Sequence, residues 1–213
     1  GFGDSFDGTP APQGEPRPLA PPPLPVNARR RLGPRVNTGL AAFDTFLPLC
    51  RGQRIGLFAG SGVGKSSLLA DLADGVEADV VVLALIGERS REVRDFLEET
   101  LGEDGRRRSV VIVSTCDEPA SVKRRAALLA MTTAEYFRDL GLHVLLLFDS
   151  VTRFADAWRE IGLTAGETPS LRAYPPSTFR TVAALAERAG PGVGDAGDIT
   201  AVFSVLVAGS DMD

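Results

Sequence analysis

Apolar residues recur along the chain in two patterns, which together predict strands alternating with helices. Five short and nearly unbroken apolar runs predict buried strands at 54–60, 79–87, 109–115, 143–150 and 199–209. Between these runs, apolar residues return at the three- and four-residue spacing of an amphipathic helix. Because strands alternate with helices, we expect an α/β fold in which a mostly parallel sheet is flanked by helices.

Two of the intervening segments also predict where their helices begin and end. The first, over 90–102, has Ser90 as its N-cap and Gly102 as its end. Its apolar positions are Val93, Phe96, Leu97, Thr100 and Leu101. The second has Pro119 in its first turn and ends at Gly141. Its apolar stripe comprises Val122, Ala126, Leu129, Tyr136, Phe137 and Leu140.

Composition separates the beginning of the chain from the rest. Proline, glycine and alanine dominate residues 9–25, a mixture that favours extended polyproline geometry over a packed element. We therefore expect a proline-rich linker or wrap over 1–28 and a folded core over 29–213. The chain starts without methionine and stops just after an apolar run, so we also expect it to be a fragment of a longer protein.

Charge and reactive side chains narrow the classes of function. A net charge of −5 argues against nucleic acid as a partner, and the basic runs 28–31 and 105–108 are expected to be solvated faces. The apolar runs are too short to cross a bilayer. Cys50 and Cys116 are interpreted as reduced thiols and His143 as a packing residue, so no metal site built on cysteine or histidine is expected.

The run FAGSGVGKSSLL, residues 58–69, combines three glycines and a lysine between a predicted strand and a predicted helix. This spacing and context match a phosphate-binding loop, although Ala59 replaces the usual first glycine. The predicted binding positions are Gly60, Ser61, Gly62, Val63, Gly64, Lys65, Ser66 and Ser67. Lys65, one of only two lysines in the chain, would contact the β- and γ-phosphates, and Ser66 would ligate magnesium. The loop therefore predicts binding of ATP with Mg²⁺.

Three acidic residues and one arginine follow strands that should end near this loop. Asp149 ends the apolar run LLLFD and is expected to hold the water shell of magnesium. Glu88 is a candidate general base, and Arg89 could neutralise charge on the transferred phosphoryl group. Glu92 could also serve the hydrated metal. Without further context, Glu88 and Arg89 could instead form surface ion pairs while Glu92 complements a helix dipole.

Four segments, in order along the chain, resemble the flagellar and type III secretion export ATPases, which are related to the catalytic subunits of rotary ATP synthases. The segments are RGQRIGLFAGSGVGKSSLL, GERSREVRDFLEE, LLLFDSVTRFADAWREIGL and YPPSTF…LAERAG. The resemblance runs from about residue 36 to 213 and implies a P-loop NTPase core of the RecA-like type. It also implies that Glu88 is the catalytic carboxylate, that Arg89 contacts the γ-phosphate and that Asp149 is the magnesium-associated acid.

The same resemblance implies roles for two further parts of the chain. Arg153 would be an interface residue or a neighbour of the active site. The loop 162–177 would face the central channel of a ring, although a mobile surface connection remains open as an alternative. Family members often carry glycine where this chain has Ala173. The segment 1–8 loosely resembles the passage from an N-terminal barrel to the catalytic domain.

The function implied by the resemblance is ATP hydrolysis in a homohexameric ring that drives protein export. Such a ring would work in the cytoplasm at the inner face of the membrane export apparatus, peripheral to the membrane at most. Its partners would be stalk and regulator proteins and export substrates or chaperones. The alternative is a catalytic or non-catalytic subunit of a rotary ATP synthase-like ring, and a non-catalytic relative is expected to lack the carboxylate of Glu88. The arginine finger and the adenine pocket would lie outside this chain.

Overall fold

The computed structural model describes residues 5, 8, 16–25, 27–60 and 62–207. Ser61, most of the first fifteen residues and the last six lie outside the described residues. The predicted phosphate-binding residue Ser61 and most of the segment predicted to follow an N-terminal barrel, 1–8, fall among these undescribed residues.

The five predicted strands are confirmed, and they form one parallel sheet in the order β3–β8–β6–β4–β5. Their bounds are β3 Arg54–Ala59, β4 Val80–Glu88, β5 Ser109–Thr115, β6 His143–Asp149 and β8 Asp198–Leu206. A short strand, β7 (Gly190–Pro191), pairs antiparallel with β8, and β1 (Arg35–Val36) pairs with β2 (Leu49–Cys50) apart from the main sheet. This order brings the carboxyl ends of β3, β8, β6 and β4 side by side, which is where ligands bind in such sheets.

Helices cover both faces of the sheet, as the unbroken apolar strands require. Their bounds are α1 Ala41–Phe46, α2 Lys65–Gly75, α3 Ser90–Asp95, α4 Gly102–Arg107, α5 Ala120–Asp139, α6 Val151–Thr164 and α7 Pro176–Arg188. Alternate residues of β4 enter two separate cores: Leu83 packs with Leu72 of α2, and Ala84 packs with Met131 of α5. The strand is therefore buried on both sides, and its polar residues can lie only near its ends.

The helix predicted over 90–102 differs from the structure in three respects. Ser90 lies inside the first turn, and Arg89 occupies the N-cap position. The α-helix ends at Asp95 and continues as a π-helical turn over Phe96–Thr100. Gly102 has a φ of +68°, which suits glycine, but α4 begins there instead of the chain leaving the helix. A single sequence window cannot show this change of hydrogen-bond register, because both stretches have helical spacing.

The apolar stripe predicted for α5 is also partly wrong. Tyr136 and Leu140 are 44% and 57% exposed, whereas the buried face consists mainly of alanines and Met131. Pro119 is the N-cap residue, one position before the helix begins. Small side chains let the helix approach the sheet closely, and larger apolar residues such as Leu128 and Phe137 are half-buried and pack against the edge of the same core.

The basic runs are not uniformly solvated. Arg108 donates to the carbonyl oxygens of residues 74, 76 and 78 at 3.0–3.3 Å, at the end of α2. Arg29 donates to the carbonyl oxygens of Glu187 and Ala189, at the end of α7. In the run 105–108, Arg107 behaves as predicted, since it forms an exposed pair with Glu103, whereas in the run 28–31 Arg30 also pairs with the buried Asp198. Counting charges along the sequence cannot distinguish a solvated arginine from one that caps a distant helix.

The described part of the proline-rich segment packs on the core. We call residues 16–31 the strap. Arg17 pairs with Asp139 at 2.7 Å and lies over the ring of Tyr136, and the carbonyl oxygen of Leu19 accepts a hydrogen bond from Arg188. None of the helices among the described residues is both long and apolar enough to cross a membrane.

Candidate active site

The phosphate-binding loop joins the end of β3 to the start of α2. Gly62 and Gly64 have φ values of +76° and +88°, a region that favours glycine, and Gly64 is the N-cap of the helix. A Cβ added at either glycine would meet nothing within 4 Å, so the concave side of the loop is open. The loop and the first turn of α2 therefore direct backbone N–H groups and the positive end of the helix dipole towards an open space that suits phosphate.

The other predicted loop residues lie in the same turn. Gly60 follows β3, and the side chain of Val63 is largely exposed. Ser66 and Ser67 occupy the first turn of α2 and are exposed. Their hydroxyl groups are accessible to a ligand bound at the helix N-terminus, as the prediction for Ser66 requires.

The ammonium group of Lys65 lies between two carboxylates from different strands. Its Nζ is 2.6 Å from Oδ1 of Asp149, at the end of β6, and 3.8 Å from Oε1 of Glu88, at the end of β4. All three side chains are mostly buried. The structure therefore brings together three residues that the sequence separates by 23 to 84 positions, as predicted from the carboxyl ends of the strands.

Glu88 reaches Lys65 because β4 contains a bulge. The pairing of β4 with β5 shifts between Ile86 and Glu88, and Gly87 between them has a φ of +75°. In regular alternation Glu88 would face α5 and α6, whereas the extra residue turns it towards α2. A Cβ at position 87 would come within 3.0 Å of the side chain of Arg153, so glycine is needed here for space as well as for conformation.

Burial raises the pKa of Glu88, and the negative charge of Asp149 raises it further. Lys65 acts in the opposite direction, and a hydrogen bond with Glu92 again raises the pKa. A carboxylate whose pKa is raised holds a proton more readily, which is the property needed in a general base. The electrostatics of Glu88 thus agree with the role predicted for it.

Arg89 and Glu92 lie at the edge of this group. Arg89 is 78% exposed and donates to Oε1 of Glu92 at 2.8 Å. This is the surface ion pair of the alternative interpretation, although Glu92 also contacts Glu88. The contact of Arg89 with a γ-phosphate remains a prediction.

Magnesium fits the chemistry of the residues present. Hydroxyl and carboxylate oxygens are the ligands that Mg²⁺ takes together with water and phosphate oxygens, and Ser66, Asp149 and Glu92 offer only such atoms. Among the described residues, no group of three or more acidic, histidine or cysteine side chains is close enough to hold a metal ion by itself. We therefore expect magnesium to depend on the phosphates of the nucleotide for part of its coordination.

Ser204 belongs to the site although the sequence analysis did not select it. It is fully buried in β8, and its Oγ donates to Oδ1 of Asp149 at 2.6 Å. The signal in the sequence was a single hydroxyl in the otherwise apolar run VFSVLV, which by itself does not name a partner.

A cleft of about 400 Å³ lies beside the bulge of β4. Its lining includes Gly87, Cys116, Lys123, Arg153 and Asp156. The structure thus places Arg153 next to the active site, consistent with one of the two roles implied for it.

The loop between α6 and α7 is held at its base. Trp158 donates to Ser177 at 2.9 Å, and Ser177 donates to Glu167 at 2.8 Å. At the tip, Arg172 and Ala173 have φ values of +52° and +64°. Ala173 thus adopts a left-handed conformation, which the glycine implied at this position by the resemblance would adopt without strain.

Comparison with known proteins decides the family. Residues 39–213 match the ATP synthase alpha/beta family, nucleotide-binding domain.

The chain belongs to this family.

Several similar proteins are named for flagellar and type III secretion functions. The chain is 54% identical to the flagellum-specific ATP synthase of Caulobacter vibrioides, over 99% of this chain and 49% of that protein. It is 49% identical to the type 3 secretion system ATPase of Sinorhizobium fredii, over 92% of this chain and 43% of that protein. The chain thus spans about half the length of these relatives, and the resemblance to export ATPases is confirmed.

A solved structure supports the fold directly. The assembled ATPase EscN, in complex with its central stalk EscO from the enteropathogenic E. coli type III secretion system, matches with a TM-score of 0.87 and 45% identity. The match covers 94% of this chain and 49% of that one. The predicted P-loop fold, with a mostly parallel sheet flanked by helices, is confirmed.

Proposed function

We propose that this chain is the nucleotide-binding part of an ATPase that drives protein export in a flagellar or type III secretion apparatus. The observation that carries the proposal is the convergence of Lys65, Glu88 and Asp149 behind an open phosphate-binding loop. The names of the similar proteins support export as the process that hydrolysis serves.

Each residue of the site has a role in this proposal. The loop from Gly60 to Ser67 binds the phosphates of ATP, and Lys65 neutralises charge on them. Ser66 and Asp149 would hold magnesium, which supplies charge stabilisation for phosphoryl transfer when bound. Glu88 accepts a proton from the attacking water.

The assembly is part of the proposal. We infer a homohexameric ring that binds a stalk protein, as EscN does with EscO, together with regulators and export substrates or chaperones. The ring would lie in the cytoplasm at the inner face of the export apparatus. The alternative is a catalytic or non-catalytic subunit of a rotary ATP synthase-like ring. A non-catalytic subunit is disfavoured because Glu88 is present and lies near Lys65, and the flagellar and secretion names of the similar proteins favour export over a catalytic rotary subunit.

The Glu88→Gln variant tests the catalytic claim. It keeps the size of the side chain and loses the base, so ATP should still bind while hydrolysis slows by roughly two to four orders of magnitude. The measurement is phosphate release by the full-length protein that contains this chain, in excess over magnesium–ATP, together with ATP affinity on the same samples. Glu98→Gln, which removes only an exposed partner of Arg94, is the control and should keep the wild-type rate.

Two results would contradict the proposal in different ways. Full-length wild-type protein, in which the expected arginine finger is present, that binds ATP without releasing phosphate would favour the non-catalytic subunit. A Glu88→Gln variant that hydrolyses ATP at the wild-type rate would show that another residue is the base.

A further inference from the structure

A buried hydroxyl holds the predicted magnesium acid from the neighbouring strand. Ser204 is fully buried in β8 among apolar residues, where a hydroxyl without a partner would be costly. β8 lies beside β6, and Phe203 is paired with Phe148, so Ser204 and Asp149 come next on adjacent strands. Their side chains meet on the face of the sheet that α2 covers, with Oγ and Oδ1 2.6 Å apart.

The hydrogen bonds of Asp149 are unevenly distributed between its two oxygens. An ionised carboxylate only accepts hydrogen bonds, so Ser204 is the donor. Lys65 donates to the same oxygen, Oδ1, also at 2.6 Å. Among the described residues, no donor contacts Oδ2, which remains available to other ligands.

Lys65 and Ser204 differ in what they can do when nucleotide binds. Under the function proposed above, Lys65 turns to the phosphates, and its ammonium group then no longer donates to Asp149 alone. Ser204 cannot leave, because its side chain is short and enclosed within the sheet. The hydroxyl is then the donor that keeps Oδ1 in place and so fixes the direction of Oδ2.

We propose that Ser204 is a positioning residue for magnesium-dependent nucleotide binding, acting through its hydrogen bond to Asp149. This inference rests on the proposed function and adds a residue to the same site. It assigns Ser204 no contact with ATP. Its effect should therefore be visible only when magnesium is present.

The test measures the magnesium factor, defined as the ratio of the ATP dissociation constant in EDTA to that in excess magnesium. Titration calorimetry gives both constants for the wild type, Ser204→Ala and Ser204→Thr. Partners of a metal-binding group typically change affinity by 10–100-fold, so Ser204→Ala should lower the magnesium factor by roughly tenfold. Ser204→Thr keeps the hydroxyl and should restore most of the factor.

Thr200→Val provides the matched control. Thr200 is also a buried hydroxyl residue of β8, but it lies at the opposite end of the strand and bonds to Gly52 and His143. Its replacement should lower the free energy of unfolding and leave the magnesium factor unchanged. Unfolding followed by Trp158 fluorescence shows that each variant is folded before it is titrated.

The possible results separate the role of Ser204 from the proposed function. An unchanged magnesium factor in Ser204→Ala, with ATP bound as by the wild type, overturns the role of Ser204 and leaves the proposed function standing. An equal loss of affinity with and without magnesium shows a structural role and also overturns it. Full-length wild-type protein, in which the expected adenine pocket is present, that binds no ATP overturns the proposed function itself, and the role of Ser204 with it.

Discussion

The ammonium of Lys65 lies against Asp149 and near Glu88, so a single positive charge serves two carboxylates of the site. The loop spacing and the strand ends allowed these three residues to be selected from the sequence. The bond to Ser204 could not be selected, because it depends on which strand inserts between β3 and β6. Sequence patterns identify residues that carry chemistry more readily than residues that hold them in place.

His143, at the other end of the sheet, is a second residue whose burial the sequence predicts but whose hydrogen-bond partners it does not. It was expected to be a packing residue, and it is buried, with Nε2 2.8 Å from Oγ1 of Thr200 and Nδ1 3.0 Å from the carbonyl oxygen of Glu77. Gly52 donates to Thr200, so the Thr200 hydroxyl can donate to Nε2 while Nδ1–H donates to Glu77. This arrangement requires the neutral imidazole.

The stability of the protein should therefore fall when the pH is lowered through the histidine range. Burial lowers the pKa of His143 below the unfolded value of about 6.5, so the unfolded chain binds a proton that the folded protein excludes. This contribution is complete above about pH 6.5 and declines below it, by at most about 1.4 kcal/mol per pH unit. The measurement is denaturant unfolding between pH 7 and 5 for the wild type and His143→Gln.

Because His143 is the only histidine, the difference between the two proteins isolates its titration from that of the acidic groups. The variant should be less stable at pH 7, and its disadvantage should shrink towards pH 5. A constant difference across this range would show that His143 does not titrate on unfolding.

At the level of elements, each end of helix α2 has a distinct role. Its N-terminus forms the phosphate-binding loop, and its last carbonyl groups accept hydrogen bonds from Arg108, which precedes β5. A guanidinium group has enough donors to satisfy several carbonyls at once and is favoured at the negative end of the helix dipole. The sequence pattern predicted α2 itself, whereas the cap comes from 32 to 34 residues away along the chain.

Arg108→Ala should destabilise the protein, by about 1–3 kcal/mol, because partly buried carbonyl groups lose a charged donor. Arg107→Ala removes the neighbouring arginine, whose pair with Glu103 is exposed, and should change the free energy of unfolding by at most about 0.5 kcal/mol. Urea unfolding followed by Trp158 fluorescence compares the two. Equal destabilisation by both substitutions would show that the cap contributes nothing beyond helix propensity.

At the scale of the whole molecule, the strap and α7 connect regions that are distant in sequence. Arginines from three different segments donate to the last carbonyl groups of α7: Arg29 of the strap, Arg54 of β3 and Arg138 of α5. Arg188, at the end of α7, forms a two-bond ion pair with Glu135 that is largely buried. The described residues of the strap therefore pack against the surface of the folded core.

The sheet and its helices could be predicted because apolar periodicity is a local property. The docking of the strap could not, since a proline-rich composition indicates extended backbone and says nothing about the surface on which it lies. Sequence patterns likewise do not predict how subunits would contact one another in the proposed ring. The relatives are about twice as long as this chain, and the contacts between subunits are proposed from their similarity.

The central claim is that residues 60–67 bind the phosphates of ATP through Lys65, and the two lysines of the chain allow a direct test. Lys65→Ala removes a charged phosphate contact worth roughly 1.5–3 kcal/mol and should weaken magnesium–ATP binding about ten- to a hundredfold. Lys123→Ala removes a lysine that donates to the carbonyl of Cys116 and lines the cleft beside the β4 bulge, away from the phosphate-binding loop, and its ATP affinity should equal that of the wild type. Titration calorimetry on the three proteins decides the matter: an unchanged affinity in Lys65→Ala, or an equal loss in both variants, would contradict the account.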